Sequence, residues 1–280
     1  MGKIERSWGM IKASWAVLRQ DKELMLFSLL SLVCCGLLCL GFFRAMLPAL
    51  RAGGAPEAAP GLSDMEPRSY FVLFFFYLVL YLVGTYFSTA VAGCAVIRLR
   101  GGNPTVADGL RIASSRLPVI MGWALFAATV GILLRMLEDK SKWLGKLVAG
   151  LFGMAFSIAS FLVVPILAVE GVGPIEAFRR SAGMLKKTWG EQLSGNIGLG
   201  LISFLACLPA LLFLAPGLMS ESRAGLLTGV LFTGLYLLAV MLVTQTLQTV
   251  FQAAVYMYAR DGQIPEGFSR ELMQNALVSK

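Results

Sequence analysis

The sequence contains no histidine and little charge of either sign. Charged residues make up 14% of its 280 residues, whereas 57% are hydrophobic. A soluble domain carries about 25% charged and about 45–50% apolar residues, so this chain has more apolar surface than a soluble fold can bury. The missing histidine also excludes the HExxH zinc motif and any Cys/His metal site. The composition therefore predicts a membrane protein.

The cysteines give no sign of a metal centre or of structural disulfides. All five lie inside apolar runs, and no pair has CxxC spacing. Cys35 and Cys39 share a helix face at i, i+4, which leaves a soft-metal site open, but small apolar packing residues are the commoner use. We therefore expect neither a metal nor a cofactor.

Catalytic patterns are absent as well. No acidic residue lies in the middle of an apolar run, and the sequence has neither a phosphate loop nor a GxSxG motif. An enzyme needs acid-base groups, a nucleophile or a metal. We expect a protein that is not an enzyme and assign no catalytic residue. An enzyme that acts on a lipid phosphate is the least favoured alternative.

Six apolar segments are long enough to cross a bilayer, which takes about 20 residues of helix. They cover residues 24–43, 70–97, 118–134, 147–169, 195–215 and 226–258. Their apolar runs are continuous and lack the alternation of a membrane strand. The predicted fold is an all-α polytopic membrane protein in which residues 1–280 form one domain. Its six transmembrane helices are expected to pair as three hairpins.

The distribution of Lys and Arg predicts the orientation. The two termini and the connections 98–117 and 170–190 carry 16 of them, and the three opposite loops carry eight. By the positive-inside rule both termini are cytoplasmic, in a bacterial inner membrane. The net charge of +8 is spread between apolar runs, which favours anionic lipid headgroups over nucleic acid as the partner.

The stretch VVPILAVEGVGPIEAFRRSAGMLKKTWG, residues 163–190, changes from a span to a basic helix. Pro165 is expected to kink the end of the span, and Pro174 fits the first turn of a new helix over 174–189. Apolar residues with helical spacing form one face that is expected to lie on lipid. They are Ile175, Phe178, Ala182, Leu185 and Trp189.

The same pattern of an apolar run followed by a Gly-x-x-Pro motif occurs three times in the sequence. The motifs are Gly101–Pro104, Gly171–Pro174 and Gly262–Pro265. A second interfacial helix is expected over 104–117, and a third at the N-terminus over 3–20. The apolar face of the second holds Val106, Leu110, Ala113 and Leu117; that of the third holds Ile4, Trp8, Ile11, Trp15 and Leu18. The sequence thus contains a weak internal repeat. Its interfacial amphipathic helices are predicted to lie on the cytoplasmic side of the membrane.

Four passages carry a resemblance to a known family: RSW at 6–8, SWAVLRQDKELMLF, VVPILAVEGVGPIEAFRRSAGMLKKTWGEQLSGNIG, and 258–268. The sequence resembles an uncharacterised family of bacterial multi-span integral membrane proteins. It is more distantly similar to the membrane domain of some glycerophosphodiester phosphodiesterases. The resemblance implies a membrane protein of unknown activity and supplies no catalytic residues.

Two groups of residues are candidate sites. Arg179, Arg180, Lys186 and Lys187 could bind lipid headgroups, or they could act only as orientation signals. Gln245, Gln248, Thr249 and Gln252, with Asn196, could line an intramembrane polar face or hydrogen-bond between helices.

The preferred function is a non-enzymatic, lipid-interacting membrane-organising or accessory component. The alternative is a transporter or exporter of a small or amphipathic solute through the polar face of the sixth span. A homo-oligomer or a membrane partner is possible in either case.

Overall fold

The computed structural model describes residues 3–21, 23–52, 67–140, 144–188, 204–219, 222–262 and 264. Within these ranges the regular structure is helical and contains no strand, which confirms the all-α class. The helices are α1 (Lys3–Gln20), α2 (Glu23–Ala52), α3 (Pro67–Leu99), α4 (Val106–Ser115), α5 (Leu117–Lys140), α6 (Leu144–Ala159), α7 (Val163–Glu170), α8 (Pro174–Thr188), α9 (Ala210–Met219) and α10 (Arg223–Asp261).

Five segments of the described chain are long and apolar enough to cross a membrane. They are Glu23–Ala45, Phe71–Leu99, Leu117–Leu137, Leu147–Glu170 and Ala224–Asp261. These segments are those of a multi-pass membrane protein. Residues 195–203 of the predicted span at 195–215 lie outside the described residues, and its described part, 204–215, is not among these five segments. The predicted span at 226–258 lies within the single 39-residue helix α10.

Burial is concentrated at one end of the molecule. The largest fully buried side chains are Trp123, Tyr256, Phe27, Phe251, Leu24, Ile120, Leu162, Ile166, Leu167, Val91 and Val163. We call this end the collar: α1, α4, α7 and α8, together with residues 23–31, 87–99, 117–128 and 246–261. Inside it α3, α7 and α10 pack against one another, and α1 packs on α10 and α3.

The remaining parts of α2, α3, α5, α6, α9 and α10 form what we call the apolar half. There α2 packs with α3, α5 with α6, and α9 with α10. Large apolar side chains are exposed on the described part of its surface, among them Leu37 at 64%, Phe71 at 66% and Leu231 at 69%. Such a continuous apolar surface is stable in hydrocarbon and not in water.

The fourth predicted span is broken. Helix α6 ends at Ala159 and α7 begins at Val163, with turns at residues 160–162. Pro165 explains the position, because a proline lacks an N–H and its ring clashes with the carbonyl four residues earlier, that of Phe161. The expected kink is therefore confirmed and amounts to a complete interruption of the helix.

The glycines of the three Gly-x-x-Pro motifs share one backbone conformation. Among the described residues, positive φ angles occur only at Gly101 (83°), Gly171 (62°) and Gly262 (65°). Gly171 and Gly262 are the C-caps of α7 and α10, and Gly101 follows the end of α3. Glycine is the residue that takes a positive φ without steric cost, so the glycine of each motif serves the same purpose at the end of a helix.

Helix α4 folds back along α3. A Cβ on Gly109 would lie 2.8 Å from Cys94 Sγ, one on Gly93 would lie 2.9 Å from Ile112, and the hydroxyls of Ser114 and Tyr86 are 2.8 Å apart. Residue numbers rise along α4 as they fall along α3, so the two helices run antiparallel.

The start of α4 is fixed by a reciprocal cap. Thr105 Oγ1 accepts from the backbone N–H of Asp108, and the Asp108 carboxylate accepts from the N–H of Thr105. The Thr105 hydroxyl also donates to the Asp108 carboxylate at 2.7 Å, and this bond, together with the one from the Thr105 N–H, lowers the pKa of Asp108. Leu117, which was expected to share the apolar face of this helix, is 40% exposed at the start of α5.

Candidate headgroup-binding collar

Helix α8 is anchored in the protein by an aromatic cluster. The Phe178 ring lies 5.3 Å from that of Phe156 on α6, and 5.9 and 6.4 Å from those of Phe126 and Trp123 on α5 (centroid distances). Such pairs add about 0.5–1.5 kcal/mol beyond the area they bury.

Helix α8 also caps the broken span. The backbone N–H of Leu162 donates to Ser181 Oγ at 3.0 Å, and both residues are fully buried. In a continuous helix this N–H would bond the carbonyl of Ile158, which here accepts from Phe161. Ser181 therefore satisfies a donor that the break leaves without a helical partner.

The predicted lipid-facing stripe of α8 is wrong for two residues. Phe178 and Leu185 pack into the protein core, whereas Ile175 is 61% exposed. The buried face is built around Ala177, Ser181 and Leu185, because small side chains allow the close approach of helices. Trp189 lies outside the described residues.

In the N-terminal helix, too, the buried face differs from the predicted apolar stripe. Leu18 is buried at 2% exposure beside Ala13, Ser14 and Val17, whereas Trp15 is 42% exposed. The side chains of the earlier stripe residues on α1 lie outside the description. Helix α1 therefore buries these residues against the other helices of the collar, and its predicted stripe is not turned uniformly to lipid.

The four cations of the basic candidate site differ in their surroundings. Arg180 contacts Glu170 at 2.5 Å and Glu176 at 2.8 Å, and these bonds raise the pKa of Arg180. Arg179 is 77% exposed and 3.7 Å from Glu176. Lys186 is exposed, and the side chain of Lys187 lies outside the described part. Arg180 is therefore paired with two carboxylates although its side chain is 43% exposed, and Arg179 and Lys186 are the more accessible cations.

Glu170 connects α8 to α10. Its carboxylate accepts from the Tyr256 hydroxyl at 2.7 Å on one oxygen and from Arg180 on the other. Arg260 donates to the same Tyr256 hydroxyl at 2.8 Å. The sequence placed Glu170 at the exit of the span, and the structure shows that it joins three helices.

Arg116 holds the second Gly-x-x-Pro turn. Its Nη2 lies 3.4 Å from the Val169 carbonyl at the end of α7, where the helix dipole favours a cation. A side chain at Gly171 would collide with its guanidinium. Gly171 is therefore needed for space as well as for its positive φ.

A second polar contact fixes α1 and α2 to the first Gly-x-x-Pro turn. Arg98 donates to both carboxylate oxygens of Asp21 and, at 2.6 Å, to Asn103. Beside it lies a polar cleft of about 330 Å³, lined by Arg19, Gln20, Asp21, Glu23, Asn103, Pro104 and Thr105. Sequence reasoning missed this contact, because Asp21 and Arg98 are 77 positions apart.

The predicted polar face of α10 lies beside the first turns of α2. Thr246 shares a 2.7 Å hydrogen bond with Ser28, which is five residues into α2. Thr249 is buried and donates to the Gln245 carbonyl in its own helix. Gln248, like Gln245 and Gln252, is partly exposed, and Asn196 lies outside the described residues. Thr246, about 100° round the helix from Gln245, therefore bonds α10 to α2, while the predicted face itself presents three partly exposed glutamines.

No cluster of three or more His, Cys, Asp or Glu residues that could hold a metal occurs in the described residues. A comparison with known protein families gives one match, over residues 68–267, to a family of unknown function, DUF6159. The chain belongs to this family. No curated protein matches it, so the more distant resemblance to glycerophosphodiester phosphodiesterase membrane domains gains no support. Membership in DUF6159 assigns the chain to a family but gives it no function.

Proposed function

We propose that this DUF6159 protein is a non-enzymatic bacterial inner-membrane component that binds anionic phospholipid at its collar. In this proposal six spans form three hairpins and both termini are cytoplasmic. The exposed cations of α4 and α8 then face the cytoplasmic headgroups. Its role is that of a membrane-organising or accessory protein.

The observation that carries the proposal is the location of exposed cations relative to the apolar surface. Arg111 and Arg179 are 78% and 77% exposed, and Lys186 is also exposed. All three belong to the collar, which adjoins the exposed apolar half. Cations beside an anionic leaflet each contribute about 1 kcal/mol to lipid binding.

Lipid contact is favoured over solute transport by the position of the amides. The polar part of α10 begins level with the first turns of α2, so it offers no polar path through the apolar half. The charged side chains of the collar also pair largely with each other, as Glu170 does with Arg180.

The proposal is tested by identifying lipids that co-purify with the full chain, using native mass spectrometry. The Arg179→Ala/Lys186→Ala variant should lose bound anionic lipid. Arg44→Ala/Arg135→Ala is the matched control, because it removes the same charge from exposed residues of the apolar half. Equal retention by both variants, or equal loss, would refute the assignment of lipid binding to the collar.

A further inference from the structure

One face of α10 changes its chemistry along its length. At successive steps of three or four residues it presents exposed apolar side chains, then partly exposed amides and, beyond the fully buried Tyr256, an exposed cation. The residues of this face are Leu238, Met241, Gln245, Gln248, Gln252 and Arg260. Steps of three and four residues keep side chains on one side of a helix.

The apolar part of the face is open to a lipid chain. Leu238 is 42% and Met241 is 60% exposed. Above them, Gln245 and Gln252 are about 10 Å apart along the axis at a rise of about 1.5 Å per residue. The headgroup layer of one leaflet is about 5–8 Å thick, so these amides cover its full depth. Each amide offers two N–H donors for ester and phosphate oxygens.

The cation at the end of the face is turned towards the amides. Arg260 donates to the Tyr256 hydroxyl at 2.8 Å, and its guanidinium lies 5.9 Å from the centroid of that ring. Tyr256 follows Gln252 by four residues, so the guanidinium bonds a residue on the same side of α10 as the amides. Asp261 approaches Arg260 Nε at 3.5 Å, yet the arginine side chain remains 40% exposed.

We propose that this face of α10 binds one anionic glycerophospholipid lengthwise. The acyl chain lies along Leu238 and Met241, the ester and phosphate oxygens accept from Gln245, Gln248 and Gln252, and the headgroup lies beside Arg260. The inference rests on the proposed function and extends it, because it assigns recognition to hydrogen-bond donors as well as to charge.

The test uses the full chain, delipidated in detergent and titrated with phosphatidylglycerol under native mass spectrometry. Gln248→Leu and Gln252→Leu remove donors without changing net charge, and each should weaken binding about tenfold, as expected for a lost hydrogen bond to a charged group. Gln20→Leu is the control, since it makes the same change at an exposed residue of α1. Unchanged thermal unfolding shows that the variants fold.

The outcomes separate the two proposals. If Gln248→Leu/Gln252→Leu binds like wild type while Arg179→Ala/Lys186→Ala loses the lipid, the amide site is refuted and the collar proposal stands. If the amide variant loses phosphatidylglycerol and phosphatidylethanolamine equally, the anionic assignment is refuted. Should the leucine variants fail to fold, Gln252→Glu places a negative charge at the site, and unweakened phosphatidylglycerol binding would overturn the inference.

Discussion

Replacing Ser181 with alanine should destabilise the protein although it removes a single oxygen atom. The change leaves the Leu162 N–H buried without a partner at the break between α6 and α7. A buried unsatisfied donor costs about 1–3 kcal/mol. Hydrogen bonds between membrane helices average only about 0.6 kcal/mol, because the unfolded chain finds other partners in the bilayer. We expect the higher range, because the turns at residues 160–162 direct the Leu162 N–H to Ser181 and away from the Ile158 carbonyl.

The measurement is thermal unfolding of the purified protein in detergent, followed by tryptophan fluorescence. A loss of about 2 kcal/mol corresponds to a fall in Tm of about 4–8 °C for a chain of this size. The control is Ser115→Ala, because Ser115 is exposed and bonds only a carbonyl of its own turn, that of Ile112. If both variants unfold at the same temperature, Ser181 does not cap the break and the reasoning fails.

Two further perturbations test the second Gly-x-x-Pro turn and its surroundings. Gly171→Ala should destabilise the protein by at least about 1–2 kcal/mol from the left-handed backbone alone, and it must also displace Arg116. Gly183→Ala, in the open part of α8, should instead stabilise the helix by about 0.5–1 kcal/mol. The unfolding temperatures of the two variants should therefore shift in opposite directions, and a shift in the same direction would contradict the turn assignment. The hydrogen bond from Arg180 lowers the pKa of Glu176 below its ordinary value of 4.5, so it contributes stability above pH 4.5 that is lost as the pH falls through the lowered pKa. Unfolding of Glu176→Gln should therefore depend less on pH below 4.5, and a dependence identical to wild type would show that this pair does not contribute.

Local chemistry made the turns predictable from the sequence. A Gly-x-x-Pro motif after an apolar run combines a residue that tolerates positive φ with one that begins a helix, and the structure has this arrangement at Gly171 and Pro174. The break before Pro165 follows from the missing N–H of proline. Each of these features depends on residues that lie within a few positions of one another in the sequence, so it can be predicted without the tertiary fold.

The faces of the amphipathic helices were not predictable in the same way. Bulky apolar residues define a stripe in the sequence, yet α8 packs around Ala177 and Ser181 because helices approach most closely at small side chains. The sequence does not state which neighbour a helix will meet. The Ser28–Thr246 bond shows the limit, since its partners are 218 positions apart.

The candidate site was partly predictable. Arg180 was grouped with the free cations, although Glu176 stands four residues earlier, and an i, i+4 spacing indicates pairing on a helix. The spacing therefore indicates the pair of Glu176 and Arg180 from the sequence alone. Its second partner, Glu170, required the fold, because the two residues lie on different helices and meet only when α8 returns towards α7.

The break between α6 and α7 also divides one membrane span into two helices with different packing partners. Helix α6 pairs with α5 in the apolar half, whereas α7 is held in the collar by α3, α8 and α10. A change in bilayer thickness is met by a tilt of the helices that contact lipid. In this protein the turns at residues 160–162 separate α6 from α7, and Phe156 joins the end of α6 to Phe178 of α8, so a tilt of α6 reaches the collar through the aromatic cluster and not through a continuous helix.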